Sequence, residues 1–438
     1  MKVKELFNLS LKYVVSYRRR YRFLFSALVL GFCIISVIGS LKDGMADAIY
    51  YSAQNHYSGD IIIAGFEKEL EADHHIYAET VPLIRQKIEE AEINPDKEIL
   101  RTMQNNADNI IYYNGNAVPL KYVVGVDWDA EADYFGSLTF VEGGPPSGFD
   151  DGTILISAPV AAYVGAHIGD LVLMETETLY GQKNTTFFTI GGIVDDRSLF
   201  GYYKSFVSRR ALNAVIGFAA DDCSTIGLFF KDRPGVEAKR KKLQAALEGV
   251  VPLRPLVYDR QAFSDEQDWN WTGVMFFLLT VPVYVSEVTQ ILQALNIIAY
   301  FLYVMMLLII LVSAGVTYRL ILHERTKEIG TMRAVGFYAK DIRRVLLVEA
   351  FFLATVSLVT GLFITLFINW VVSRLSFSWF PSFEIFLKNG RLLAMYNPFA
   401  TAFNVTAIYA ILFLAVYTPS FSLSRGPLPE MLSGAAKG

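Results

Sequence analysis

The chain has 438 residues, of which 53% are hydrophobic and 19% are charged, with a mean hydropathy of +0.35 and a formal net charge of −4. This composition is too apolar for an ordinary soluble protein and indicates membrane-spanning segments. The near-neutral charge and acidic excess over residues 43–286 argue against a nucleic-acid-binding protein, and two cysteines cannot build a disulfide framework.

Residues 1–22 form the first predicted element. Leu6, Leu9 and Tyr13 recur at helical spacing beside seven basic residues, which favours an amphipathic helix on the cytoplasmic membrane surface. A plain solvated helix is the alternative. The apolar run over 23–42 predicts the first transmembrane helix, and because no small-x-small cleavage site follows it, we expect an uncleaved helix with a cytoplasmic N-terminus.

Residues 43–286 are predicted to form a large extracytoplasmic domain of mixed α/β structure. Alternating or continuous apolar runs predict strands, and two segments with helical periodicity predict helices. The strands are expected near 59–64, 122–126, 153–157, 171–174, 187–194 and 252–258, and the helices over 81–92 and 236–247. The pair Gly191 and Gly192 indicates a β-bulge.

Three further apolar segments, over 290–318, 345–372 and 398–418, predict transmembrane helices two to four. The loop over 319–344 is strongly basic, which places it in the cytoplasm. Residues 373–397 then form a short extracytoplasmic loop and 419–438 a cytoplasmic tail. The apolar stretch 272–286 is short for a span, and we interpret it as an interfacial or re-entrant segment or an extension of the second span.

Candidate catalytic or metal-binding groups are few. His74 and His75 lie in an acidic loop, where two exposed histidines are a better interpretation than a metal site. Asp127, Asp129 and the pair at 150–151 lack the spacing of a calcium loop. No phosphate-binding G-x-x-x-x-G-K-[ST] sequence is present, so we expect no nucleotide hydrolysis, no catalytic residues and no cofactor in this chain.

The basic loop carries the main functional signal. Gly330 and Gly336 permit sharp turns around a short helix, and Arg325 and Glu328 are spaced to pair on one face. Arg333 points elsewhere and is able to dock on an acidic partner surface. The alternative is an ordinary basic loop that only fixes topology.

Residues 324–336 read E-R-T-K-E-I-G-T-M-R-A-V-G and are followed by Ile342 and the pair Glu349-Ala350. This pattern resembles the signature of FtsX-like permeases of the MacB type of ABC transporter. Four outer stretches are similar to the periplasmic core domain of that family, namely 124–127, 153–158, 164–170 and 188–193. The resemblance therefore implies four transmembrane helices arranged as one plus three around a periplasmic core domain of MacB type.

The family resemblance also implies partners. Two permease subunits, identical or homologous, assemble with an ATPase dimer that binds ATP and magnesium, and we expect this ATPase to be a separate chain. The protein is then a multi-pass component of a bacterial inner membrane, in contact with lipids and with both termini in the cytoplasm. The predicted ATPase-coupling residues are Arg325, Glu328, Gly330, Arg333, Ala334 and Gly336.

The cargo is left open by the sequence. One hypothesis is extraction of lipoproteins or other lipophilic molecules, with apolar surface supplied by 276–279 and 377–380. A second is efflux of peptides or toxins, as in MacB. A third is signalling to a cell-wall hydrolase, as in FtsX, without transport.

Overall fold

The structure is a computed structural model that describes residues 18–424 except 69–73, 106–107, 196–200, 202, 232, 268–269, 285, 378–379, 381–382, 384–385 and 389. It contains two compact units. The helical unit comprises Met1–Ala46, Leu292–Ser376 and Arg391–Gly438, and the α/β unit comprises Asp47–Ile291 and Phe377–Gly390. The predicted surface helix lies outside the described residues as far as residue 17. The predicted cytoplasmic tail lies outside them from residue 425 onward.

The helices in chain order are α1 (Arg18–His56), α2 (Thr80–Glu90), α3 (Ala132–Gly136), α4 (Ala158–Val164), α5 (Arg209–Ile216), α6 (Val236–Leu247), α7 (Arg260–Gln267), α8 (Val281–Tyr284), α9 (Ser286–Glu324), α10 (Thr326–Ala334), α11 (Ala339–Arg374) and α12 (Pro398–Ser424). The strands are β1 (Ile61–Glu67), β2 (Lys97–Gln104), β3 (Ile110–Tyr113), β4 (Asn116–Pro119), β5 (Tyr122–Val126), β6 (Phe140–Gly143), β7 (Thr153–Ser157), β8 (Leu171–Glu177), β9 (Lys183–Val194), β10 (Lys204–Ser208), β11 (Thr225–Phe229) and β12 (Val274–Thr280).

Among the described residues four helices, α1, α9, α11 and α12, are long enough and apolar enough to cross a membrane. This confirms the four predicted apolar helices and the mixed α/β domain between the first and second. Glycines let these helices approach closely: a Cβ on Gly31 of α1 would lie 2.7 Å from Ile310 of α9, and one on Gly361 of α11 would lie 2.8 Å from Phe32 of α1. Small residues at such crossings are typical of helix packing in membranes.

Helix α1 is longer than a membrane span. Its 39 residues correspond to about 58 Å, against about 30 Å of hydrocarbon. It continues well beyond the predicted end at residue 42, and its residues from Asp47 onward belong to the α/β unit. The helix is therefore shared by both units as one continuous element.

The α/β unit is built on one 12-stranded sheet with the order β12-β1-β11-β2-β5-β10-β7-β9-β8-β3-β4, and β6 pairs with β9. Several apolar clusters cover it, and one of them packs α3 against β5, β7 and β10. Two larger ones lie elsewhere on the sheet. One joins β1, β11 and β12 to α2 and α6, and the other joins β7 to β10 with α4 and α5. The register of β7 against β9 shifts at Gly191, which confirms the predicted bulge.

Two predictions about the strands of this unit are wrong. Residues 274–280 are not an interfacial or re-entrant segment, because β12 pairs with β1 and Phe276, Phe277 and Leu279 are buried. An edge segment buried on both faces is as apolar as a membrane segment, so the sequence pattern could not separate the two. Residues 252–258 form no strand and make only an isolated bridge at Leu253.

Candidate functional site

The site is built around α10, the short helix between α9 and α11. Arg325 separates α9 from α10, and its N–H still donates to the carbonyl of Ile321 at 3.1 Å, so the chain turns without losing the helical bond. The hydroxyl of Thr326 donates to the carbonyl of His323 at 2.7 Å. After α10 the chain passes Gly336 at φ +101°, a left-handed conformation that favours glycine, before α11 begins.

One face of α10 is buried and the other is exposed. Thr326, Ile329 and Gly330 face the interior of the helical unit. The exposed surface comprises Lys327, Thr331 and Ala334 of α10 together with the turn that follows it. In this turn Val335 and Tyr338 are large exposed apolar or aromatic side chains beside Gly336. Exposed apolar side chains beside basic ones on a short helix are typical of a docking surface for another protein.

The predicted coupling residues divide between these two faces. Ala334 and Gly336 are exposed, and Glu328 and Arg333 are half-exposed. Gly330 and Arg325 are buried. Any part that Arg325 plays in coupling must therefore be indirect, although its predicted pairing with Glu328 is present at 3.3 Å.

Arg325 instead ties α10 to two long helices. Its guanidinium Nη1 lies 3.0 and 3.1 Å from the carboxylate oxygens of Glu349 on α11 and 3.5 Å from the hydroxyl of Tyr21 on α1. The Tyr21 hydroxyl donates a short hydrogen bond to Glu349. Arg325 is 1% exposed and Glu349 is fully buried. We call Tyr21, Arg325 and Glu349 the buried triad.

The buried triad is not predicted by any local pattern in the sequence. Glu349 is the only charge in the apolar segment 345–372, and an ionisable residue in such a segment signals a buried partner. That partner could not be identified from spacing, because Tyr21 lies 328 residues away in the chain.

The histidine pair belongs to the α/β unit and is not two exposed loop histidines, so that interpretation is wrong. The Nδ1 of His75 lies 3.0 Å from Glu67 and its Nε2 lies 2.9 Å from Asp222, and the ring stacks on Phe218. His74 packs on Phe66. Within the described ranges no group of three or more His, Cys, Asp or Glu side chains could hold a metal ion.

The apolar surface that was expected at 276–279 and 377–380 is smaller than predicted. Phe276 and Leu279 are buried in β12 and cannot contact cargo. Phe380 is half-exposed and its ring lies 5.8 Å from that of Phe383, which in turn lies 5.2 Å from Phe386. Residues 378–379 lie outside the described part of the chain.

Four helices long enough and apolar enough to cross a membrane, with an α/β unit between the first and second in the sequence, are typical of a membrane protein. Residues 300–428 match the family described as "FtsX-like permease C-terminal". Over these residues the predicted resemblance to FtsX-like permeases is confirmed.

Among solved structures, the chain is similar to the periplasmic region of MacB from Actinobacillus actinomycetemcomitans. The identity is 10%, the TM-score is 0.31, and the alignment covers 55% of this chain and 95% of that chain. A comparison with curated protein sequences gives no match to this chain.

Proposed function

We propose that this chain is the permease subunit of a MacB-type ABC transporter. ATP hydrolysis by a separate ATPase dimer displaces α10, and the long helices carry that displacement to the α/β unit outside the cytoplasm. The chain itself is then non-catalytic, and ATP and magnesium bind to the partner ATPase. A second permease subunit, identical or homologous, completes the assembly.

The observation that carries this proposal is the buried triad. Arg325 at the start of α10 is held by Glu349 of α11 and lies beside Tyr21 of α1. Separating such a pair would leave a charge buried without its partner, which is strongly unfavourable. A force on α10 therefore moves α1 and α11 with it, because close-packed helices shift as units.

The ATPase contact is proposed to be the exposed face of α10 and the following turn. Arg333 and Glu328 supply charges at its border, and Ala334 and Gly336 leave room for a close approach. Gly330 acts from the buried side, where it allows α10 to lie against the bundle. Arg325 acts through the buried triad.

For the cargo we propose a lipoprotein or another lipophilic molecule. The aromatic residues Phe380, Phe383 and Phe386 support this choice, since they form a row of rings with Phe380 half-exposed. Exposed apolar surface of this kind is typical of a site that contacts apolar groups of a partner or ligand.

Arg333→Glu tests the proposal. Reversing this charge at the docking face should lower stimulation of the partner ATPase by at least fivefold, while expression and membrane insertion are retained. ATP hydrolysis is measured in lipid nanodiscs after the ATPase that co-purifies with the wild-type chain is added to each variant in equal amount. Arg374→Glu is the matched control, because it makes the same change at the last residue of α11, and it should behave as wild type. Unchanged stimulation in Arg333→Glu would contradict the proposed contact.

A further inference from the structure

The end of α1 is fixed to the sheet of the α/β unit by a buried ion pair. Arg101 on β2 and Glu131 before α3 are both buried, with guanidinium Nε donating to a carboxylate oxygen at 2.9 Å and Nη2 making a second, shorter bond. The same guanidinium also donates hydrogen bonds from Nη1 to the carbonyl oxygens of Asn55 and His56, at 2.6 and 3.3 Å. These are the last two carbonyls of α1.

This arrangement suits the negative end of a helix. The final carbonyls of a helix have no partner within it and carry partial negative charge. A buried guanidinium with Glu131 behind it satisfies two of them and holds them in fixed geometry. Arg101 therefore connects the end of α1 to a central strand of the sheet.

A second buried group contacts the same end of α1. Asp60 is fully buried, and its carboxylate accepts hydrogen bonds from the Tyr50 hydroxyl at 3.1 Å, the Gln54 side chain at 2.7 Å and the backbone N–H of Phe230 at 2.8 Å. Two of these donors lie on α1 and the third follows β11. The carboxylate thus bridges helix and sheet.

The turn after α1 is also pressed against β11 with no spare space. A Cβ on Gly227 would lie 1.4 Å from the carbonyl oxygen of Ser58, and one on Gly59 would lie 2.8 Å from the backbone of Leu228. Only glycine fits at Gly227. The end of α1 therefore cannot slide or tilt on the sheet without breaking buried polar contacts.

From these contacts we infer that Arg101, Glu131 and Asp60 are positioning residues that form a rigid joint, so that any displacement of α1 becomes a displacement of the sheet. This inference rests on the proposed function, in which α1 carries motion from α10. The buried triad holds α1 within the helical unit, and the joint holds its other end within the α/β unit.

The test is carried out on the full chain with its co-purified ATPase in nanodiscs. Spin labels are placed at Glu89 and Tyr396, which are both exposed, while the native Cys33 and Cys223 stay in place because both are buried. The distance distribution between the labels is measured by pulsed electron paramagnetic resonance, without nucleotide and with ATP plus vanadate.

The joint is loosened by Arg101→Met/Glu131→Leu, which removes both buried charges together so that neither is left alone. ATP hydrolysis should stay within twofold of wild type, while the nucleotide-dependent change in distance falls to less than half. Arg85→Met/Glu98→Leu is the matched control, because it removes a 2.7 Å pair that does not touch α1, and it should retain the full change.

If the double variant does not assemble, the test uses Tyr50→Phe/Gln54→Leu. This variant removes two donors of α1 to Asp60 and should reduce the change in distance in the same direction. A full change of distance in a loosened variant would overturn the joint and leave the proposed function standing. No change of distance in the wild type would overturn both. Loss of ATP hydrolysis in step with the change would show a merely structural role and would also overturn the joint.

Discussion

Arg325 and Glu349 are buried charges that stabilise the helical unit only as a pair. Moving a charge out of water costs several kcal/mol, and the attraction between Nη1 and the carboxylate at 3.0 Å offsets that cost. The Tyr21 hydroxyl adds a third group from another helix. Three distant parts of the sequence are therefore interdependent at this point.

Single and double replacements should differ in stability. Glu349→Leu alone should lower the free energy of unfolding by about 3–5 kcal/mol, because Arg325 is left buried without its carboxylate. Arg325→Met/Glu349→Leu should lose much less, since both charges are removed. The midpoint of thermal unfolding in detergent measures both.

Asp341→Leu provides the control for these variants. Asp341 pairs with Arg344 at 3.7 Å, and Arg344 is more than half exposed, so its loss should cost about 0–1 kcal/mol. Equal destabilisation of the single and double variants at 325 and 349 would contradict the account of the buried triad.

The stability of the α/β unit should depend on His74 below neutral pH. Burial, together with the Arg260 guanidinium, lowers the pKa of His74 to about 4, whereas the unfolded chain takes up this proton near pH 6.5. A depressed pKa stabilises the fold above pH 6.5, and this contribution is lost as the pH falls towards 4. Amide exchange of β1, corrected for intrinsic rates, should therefore quicken over that window.

His74→Phe isolates this effect, because a ring is kept against Phe66 while the titrating group is removed. Exchange in β1 should then change less between pH 6.5 and 4 than in the wild type. A pH dependence of the same size in the variant would show that groups other than His74 cause the change in exchange rate.

Among the secondary-structure elements, β12 shows that the apolar segment before α9 is a paired strand. Its residues pair with β1 along the whole strand, from Val274 opposite Glu67 to Thr280 opposite Ile61. Strand amides in such a ladder are protected from exchange whatever the surrounding lipid.

We therefore expect amides over 274–280 to exchange slowly and at the same rate in detergent and in nanodiscs. Hydrogen–deuterium exchange with mass spectrometry measures this directly. Amides over 398–418 in α12 are the internal comparison for a segment that is expected to lie in lipid. Exchange over 274–280 that changes with the lipid environment would favour an interfacial segment.

Much of the fold could be predicted because most hydrophobic patterns in the sequence have only one physical interpretation. Apolar runs longer than 20 residues leave only a transmembrane helix, and the alternation around 153–157 and 187–194 fits a strand. The pattern of 274–280 fits both a buried strand and an apolar interfacial segment, and only its pairing with β1 separates the two.

The candidate site was predictable in part. The short helix follows from Gly336 and from the family signature, but the division of its residues into two faces depends on how α10 packs. Arg325 is buried because Glu349 and Tyr21 are brought to it from other helices. Contacts of that range carry no signal in local spacing.

For the whole molecule, α1 is the element that belongs to both units. It contributes Tyr21 to the buried triad and its last carbonyls to Arg101. The proposed transmission of motion depends on this continuity, and it begins with an ATPase at the exposed face of α10.

The most direct test of that claim is quantitative mass spectrometry of the proteins that co-purify with the tagged full chain in mild detergent. The account predicts a Walker-motif ATPase in amounts equal to the permease, lost in Arg333→Glu and kept in Arg374→Glu. A lipoprotein in the same sample would support the proposed cargo, whereas a cell-wall hydrolase would favour signalling. Absence of any ATPase from the wild-type sample under several mild conditions would contradict the account.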